Sequence, residues 1–415
     1  MIFCVKMYIE TQIEMFFNNN GVDIMICYGD DGLIYTLTTV LGNGGIGRIY
    51  QIADDSTRVA KIFHPKYKQR NQRVKLYREL TKSSEILRYT VLPQIILYKD
   101  ESQTQQCGFV MECVDCSTTL TDIFVGNNPL SIKRKAVVGL NLCNALATIH
   151  KASLNSMIIG DFNFNNIVVN RSNGKIRIIN SDNFQLRVRK KGTAQCLILP
   201  CTELHPDFFM PEILKLMNQF PGSTLEQLSN LGFQTFTIYT DYYCLAYNLH
   251  LLLLNCAPFS CALPATIAGK VSQHAPPVEM LNMNGNYCYS NLYNDGTKRT
   301  VRPEYCPDFN ILTPKLQELF IRAFETGARQ PELRPSPDEF IPALSEYIES
   351  LSFCECDGWN HYIRDGYNSS CCEWCRVERI AGSFTELPRR LEDIKYMTDQ
   401  ELKILEKKAK IKRIP

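Results

Sequence analysis

Leu41-Gly42-Asn43-Gly44-Gly45-Ile46-Gly47-Arg48-Ile49, followed by Val59-Ala60-Lys61, is the stretch on which the fold turns. Glycines at 42, 44 and 47 have the Gly-x-Gly-x-x-Gly spacing that two architectures share. In a dinucleotide-binding fold a helix starts at the third glycine and an acidic residue follows about 20 positions on. In the other, the loop joins two strands of one sheet. The flanks decide. Upstream, Leu33, Tyr35, Leu37, Thr39 and Leu41 alternate as a half-buried strand does. Downstream, Ile49-Tyr50-Gln51-Ile52-Ala53 predicts a second strand, Asp54-Asp55-Ser56 a turn, and Arg58–Phe63 a third. No helix begins at Gly47, so the loop is expected to join strands.

A second segment lies further along, Gly160-Asp161-Phe162-Asn163-Phe164-Asn165-Asn166-Ile167-Val168-Val169. It ends in an apolar run, and Asn173-Gly174 then predicts a hairpin between Ile167–Asn170 and Lys175–Asn180. Between the two segments, 66–89 is charged and helix-compatible, Gln106–Val114 reads as a buried strand, and Ile132–His150 has apolar residues at helical spacing. Loop-rich composition covers Asn180–Thr240; helical patterns resume at Asp241 and at Pro314–Phe324. The apolar run Tyr242–Phe259 contains Asn248, His250 and Asn255, which predicts a buried helix rather than a membrane span. Lys6, Glu10 and Glu14 interrupt the first residues, and no small-residue cleavage site follows them, so a first structural element is expected there rather than a signal peptide.

The 415 residues are 45% apolar and 21% charged, with a net charge of +2. That is an ordinary globular composition and gives no indication of a nucleic-acid partner. Most of the 18 cysteines are scattered along apolar stretches, as Cys143 and Cys244 are, and are expected to be small core hydrophobes in a reducing compartment.

In order and spacing, these landmarks resemble a bacterial, eukaryotic-type Ser/Thr protein kinase domain, of the group with a Cys/His zinc module after it. The resemblance covers about Leu33 to Leu351. It implies an α+β, bilobal kinase-like fold: an N-terminal extension (1–32), an antiparallel-sheet N-lobe (33–114) and a helical C-lobe (115–351). A zinc module (352–380) and a charged helical tail (381–415) would follow. It further implies ATP with Mg²⁺ or Mn²⁺ as cofactors, a protein hydroxyl as acceptor, and a cytoplasmic enzyme without membrane insertion.

By the same resemblance, Gly42, Gly44 and Gly47 let backbone N–H groups approach the ATP phosphates. Leu41, Ile49 and Ala60 line the nucleotide, Lys61 holds the phosphates, and Glu79 (failing it, Glu85) pairs with that lysine. Met111, Glu112 and Val114 stand at the hinge that meets the adenine. Asp161 is the catalytic base, and Asn166 holds metal through a hard amide oxygen. Met210-Pro211-Glu212 resembles the end of the activation segment, and Arg334 the late arginine that pairs with its glutamate. Asp241 resembles the buried aspartate that anchors the catalytic loop.

Three positions depart from the pattern. Ile159-Gly160 replaces the usual His-Arg, so no cation awaits an activation-loop phosphate. Catalysis is therefore expected to be independent of phosphorylation at Thr193 or Thr202. Asn163 stands where a catalytic lysine would contact the transferring phosphate, and a neutral amide stabilises charge less well. Asn180 occupies the place of the metal-binding aspartate, with Asp182 two residues on. These departures leave two rivals, a pseudokinase that binds nucleotide without turnover and a small-molecule phosphotransferase.

Cys356-x4-His361-x10-Cys372-x2-Cys375 offers three thiolates and an imidazole, the ligand set of a closed structural zinc site. Cys354 is an alternative first ligand. Thr398-Asp399-Gln400-Glu401 predicts a capped helix that ends in the basic run Lys407–Arg413, expected to be a solvated helix end.

Overall fold

The computed structural model describes residues 24–381, apart from 66, 68–70, 81–82, 125–129, 190–195, 234, 268–269, 275, 291–299, 354–361 and 365–371. The expectations for the N-terminal segment before residue 24, for Thr193 and for the charged tail therefore fall outside the described residues. The chain divides into two units, one formed by 1–79 and 93–113, the other by 80–92 and 114–415.

The first unit is a barrel of six antiparallel strands: β1 (Met25–Gly29), β2 (Ile34–Asn43), β3 (Gly47–Ile52), β4 (Asp55–Phe63), β5 (Ile95–Tyr98) and β6 (Gln106–Glu112). Their order is β1-β2-β3-β4-β6-β5, and β1 closes the ring by pairing with β5 (Tyr28 with Tyr98, Gly29 with Leu97). The sheet thus begins earlier than residue 33, inside what the sequence assigns to an N-terminal extension. Along β4 side chains alternate between faces. Ala60 and Ile62 join the cluster of Cys27, Tyr35, Leu37, Tyr50, Ile52, Leu97, Cys107 and Val110. Phe63, on the other face, packs with Ile46, Ile96, Tyr98 and Phe109 against Val74. Val74 belongs to helix α1 (Asn71–Leu80), which falls within the charged stretch 66–89.

The second unit is mainly helical, an α+β composition for the whole chain. It begins with the short helix α2 (Ser84–Leu87) and continues with α3 (Leu120–Phe124) and α4 (Ile132–Ala152). Ser131 caps α4 by accepting from Arg134 N. The hairpin at Gly174 joins β8 (Ile167–Val169) to β9 (Ile176–Ile178), and β7 (Met157–Ile158) pairs with β10 (Gln185–Arg189), which pairs in turn with β11 (Cys196–Leu199). Helices α5 (Pro211–Gln219), α6 (Leu225–Asn230) and α7 (Ile238–Leu254) follow. Helix α7 starts at a Thr237 capping box and stops at Asn255, which is left-handed. It is apolar all round and buried, as its sequence predicts. Then come the hairpin β12–β13 (Leu263–Ile267, Lys270–His274), α8 (Val278–Asn284), α9 (Pro314–Ile321), α10 (Gly327–Arg329) and α11 (Pro337–Glu349). The strands β14 (Leu351–Phe353) and β15 (Tyr362–Arg364) and helix α12 (Glu373–Ala381) complete the unit. Among the described residues no helix is long and apolar enough to cross a membrane.

Candidate functional site

The candidate residues divide between the two units. In the barrel, the glycine segment is the β2–β3 hairpin, as its flanks predict. Asn43 pairs with Arg48, and Gly44 N donates to Gly47 O at 3.0 Å. Gly47 is required by packing: a Cβ there would lie 2.4 Å from Ile62 O on β4. Gly42, Gly44 and Gly45 are different. A Cβ on Gly42 or Gly44 would come no nearer than 3.9 and 3.7 Å to its neighbours, one on Gly45 would meet nothing within 4 Å, and none of the three has a positive φ. Neither strain nor a protein neighbour demands glycine at these positions; what it provides is bare backbone facing outward.

Ala60 is fully buried inside the barrel, whereas Lys61, only 5% exposed, lies on the face it shares with Phe63, between Ile49 and Phe109 on the adjoining strands. Ile49 is half-buried and Leu41 exposed. Glu79 falls on α1, but its side chain lies outside the described residues; Glu85, on α2, is exposed. Met111 and Glu112 end β6 half-buried, and Cys113 N donates to Thr57 O at 2.8 Å. Val114 already belongs to the second unit.

In the second unit the segment 159–166 is built around Asp241, which is fully buried at the start of α7. Its carboxylate accepts from Ile159 N (2.9 Å), from Gly160 N (2.8 Å) and from His150 Nε2 (2.8 Å). This is the anchoring expected of it. Gly160 is left-handed (φ +73°), and a Cβ there would sit 2.8 Å from Cys201. Cys201 therefore packs directly over Gly160. Asn183 secures that neighbourhood: its Nδ2 donates to Glu203 O and Cys201 Sγ, and its Oδ1 accepts from Thr202 N.

Past this turn the Asp161 carboxylate is gripped from three directions. Oδ1 accepts from Asn163 Nδ2 (2.7 Å) and from the backbone N–H of His205 (2.9 Å), and Oδ2 accepts from Asn166 Nδ2 (2.9 Å). Burial raises the Asp161 pKa, and these three hydrogen bonds oppose the shift only in part. Asn163 is 2% exposed and fully engaged, since its Oδ1 also accepts from Asn165 N. Its amide orients Asp161, and the role of a phosphate-contacting lysine is not one its geometry repeats. The His205 ring stands edge-on to Phe164, at 4.9 Å, and burial lowers its pKa.

Asn166 turns its Oδ1 to Asn180 Nδ2, at 2.8 Å. Asn180 is left-handed (φ +56°) and exposed, and Asp182 is buried one turn further on. A half-turn of the Asn180 amide exchanges its donor for its oxygen. Two amide oxygens would then stand near the spacing of adjacent ligands on Mg²⁺, about 2.9 Å for the usual metal–oxygen length. The donor set therefore suits a hard divalent cation, with less negative charge than a carboxylate would give.

The scaffold pairing is also in place. Arg334, 3% exposed, binds both carboxylate oxygens of Glu212 (2.8 and 2.6 Å) and donates to Gly327 O and Tyr239 O. Of the zinc set, Cys356 and His361 lie outside the described residues, as does Cys354. Cys372 and Cys375 are buried at the start of α12.

Sequence comparison suggests a bacterial kinase-like protein as the setting of these residues. The chain is distantly homologous to "Protein kinase YegI" of Escherichia coli K12, with 24% identity over 359 residues, 84% of this chain and 49% of that protein. The protein of the same name from Escherichia coli O157:H7 is 23% identical over 349 residues, 81% and 48% of the two chains. The chain spans about half the length of these curated relatives. No family model matches it.

Proposed function

We propose that the chain transfers the γ-phosphoryl group of ATP, with a divalent cation, to a Ser/Thr hydroxyl of a protein. The observation that carries this is the Asp161 carboxylate, held by Asn163, Asn166 and His205 N with its loop tied to Asp241. A carboxylate fixed in this way, with its pKa raised by burial, is suited to accept a hydroxyl proton as the oxygen attacks phosphorus. Lys61 and the open backbone at Gly42, Gly44 and Gly45 would take the phosphates. Leu41, Ile49, Met111, Glu112 and Val114 would surround the base, and Glu79 would pair with Lys61; Ala60, expected to line the nucleotide, is instead turned into the barrel core on the face opposite Lys61. Asn166 with Asn180 or Asp182 would hold the cation, which supplies charge neutralisation on the phosphates. Zinc on Cys356, His361, Cys372 and Cys375 remains part of the proposal as a structural ion, and the compartment as cytoplasmic.

Cys201 packs over Gly160, where the kinase pattern would have an arginine, and this supports a segment ordered by packing rather than by a phosphate. Alanine at Thr193 and Thr202 is accordingly expected to leave transfer in place, and its abolition in a folded protein would refute this part.

The test is labelled ATP with a generic protein acceptor. Lys61→Met should weaken nucleotide handling, whereas Asp161→Asn should spare binding and abolish turnover. Transfer unchanged in Asp161→Asn would remove the base. A second reading, nucleotide binding without turnover, is favoured by the neutral Asn166–Asn180 pair; it predicts ATP binding with no transfer by the wild type.

A further inference from the structure

Between the end of α7 at Leu254 and the start of α9 at Pro314, regular structure among the described residues is sparse: one hairpin, the seven residues of α8 and a single turn at Phe309–Ile311. This stretch contains four cysteines, Cys256, Cys261, Cys288 and Cys306. Three of them converge. His250, on the last turns of α7, Cys256 and Cys288 are all buried, and their ligand atoms lie within 4.8 Å of one another. Cys306, also buried, neighbours Cys256 from outside that group and would complete it by a small approach. Scattered core thiols have no reason to meet from three separate loops. Neighbouring sulfurs on a tetrahedral zinc ion are about 3.7 Å apart, which the 4.8 Å bound on this group admits.

We propose that His250, Cys256, Cys288 and Cys306 form a closed Cys3His site for a structural zinc ion, distinct from the set at 356–375.

The chemistry of the donors agrees with this. His250 Nδ1 lies 2.8 Å from the Cys256 carbonyl, which can only accept, so Nδ1 carries the proton. Nε2 then presents its lone pair, engaged by the Tyr287 hydroxyl at 3.0 Å. A backbone carbonyl that fixes the tautomer is the usual support of a zinc-bound imidazole. A cation would take the lone pair and the Tyr287 hydroxyl would turn away. On binding, the three thiols release their protons to solvent and the site carries one net negative charge. Two cations lie nearby: Arg302, 5.1 Å over the Tyr289 ring, and Arg376, which is paired with Glu373 and whose Nη2 donates to Cys306 O. Cys261, half-buried and donating to Asn286 O, is left outside the set. A metal clasp also explains how so irregular a segment holds its shape.

The test uses the full chain, purified under reductant and supplied with Zn²⁺, with zinc per chain measured by elemental analysis. Cys288→Ser and Cys306→Ser should each lose one equivalent relative to the wild type, and Cys261→Ser none. That equivalent should persist in a Cys372→Ser, Cys375→Ser double variant, which separates it from the other zinc set. If the serine variants do not fold, the wild type decides by thiol footprinting. Alkylation of Cys256, Cys288 and Cys306 that is silent with zinc and switched on by a chelator supports the site. Labelling that ignores the chelator, zinc content unchanged in folded Cys288→Ser, or a Cys256–Cys288 disulfide in a non-reducing peptide map would each overturn it.

Discussion

Asn180→Asp puts back the carboxylate that the metal position lacks, and the structure sets what this should cost. Asn180 donates to Asn166 Oδ1 at 2.8 Å; aspartate removes that hydrogen bond and turns an anionic oxygen toward the amide oxygen. Loss of the bond costs about 1 kcal/mol, and the repulsion brings the total to about 1–2 kcal/mol without metal. The backbone adds little, because asparagine and aspartate both tolerate a left-handed conformation. At about 2–4 °C per kcal/mol, the midpoint of thermal unfolding should fall by roughly 2–8 °C. A divalent cation placed between the two side chains reverses the sign. At a hundredfold excess over its dissociation constant, Mg²⁺ should return about 2.7 kcal/mol. The assay is thermal unfolding of wild type and variant with chelator, with Mg²⁺ and with Mg²⁺ plus ATP, alongside phosphate transfer. The variant should be the less stable protein in chelator, the more strongly protected one in Mg²⁺, and the faster in transfer. Equal stability in chelator together with equal protection by Mg²⁺ would refute the placement of a cation beside Asn166 and Asn180.

Because burial raises the Asp161 pKa, the acid limb of the pH–rate profile should sit above the ordinary aspartate value of 3.8. For stability the sign is the opposite of a salt-bridged aspartate's: the contribution is full below the unfolded value and lost as pH rises through the raised one. A pH–rate series that declines only at the ordinary aspartate value would be inconsistent with a buried base. Gly160→Ala should destabilise by about 2–5 kcal/mol, from the positive φ and the collision with Cys201, and should lower transfer in step. Denaturant unfolding measures it, and an unchanged midpoint would remove the packing role of Cys201. Arg334→Met should cost about 3 kcal/mol by leaving Glu212 without its partner and removing the hydrogen bonds to Gly327 O and Tyr239 O, and Arg334→Lys should recover only part of it because a single amine cannot bind both carboxylate oxygens.

Local patterns were legible where they carry their own chemistry. The alternation around the glycine segment predicted the β2–β3 hairpin, Asn173-Gly174 the β8–β9 hairpin, and apolar spacing the helices α4 and α7. Asp241 and the Arg334–Glu212 pair followed from their places in the series of landmarks. Features made by distant partners were not legible. Strand β1 is five residues long and pairs with β5 far along the chain, so nothing near Met25 announces that the sheet closes. The grip of His205 on Asp161 uses a backbone N–H, which any residue but proline provides, so residue type gave no sign of it. Asn163 was legible as a missing lysine, but its use as an orienting amide appears only once Asp161 is seen between its donors. The thiols at 256, 288 and 306 are spaced too widely for a ligand pattern and read as core hydrophobes until the loops bring them together.

Closure of the barrel bears on how other proteins could engage the first unit. In an open sheet the outermost strands expose a row of unpaired amides and carbonyls, and an extended peptide can join there as an additional strand. Here β1 and β5 pair with each other at Tyr28–Tyr98 and Gly29–Leu97, which closes that end of both strands to such an addition. At that closure the sheet offers no rim for main-chain recruitment, and a partner meeting it there has only side chains to recognise.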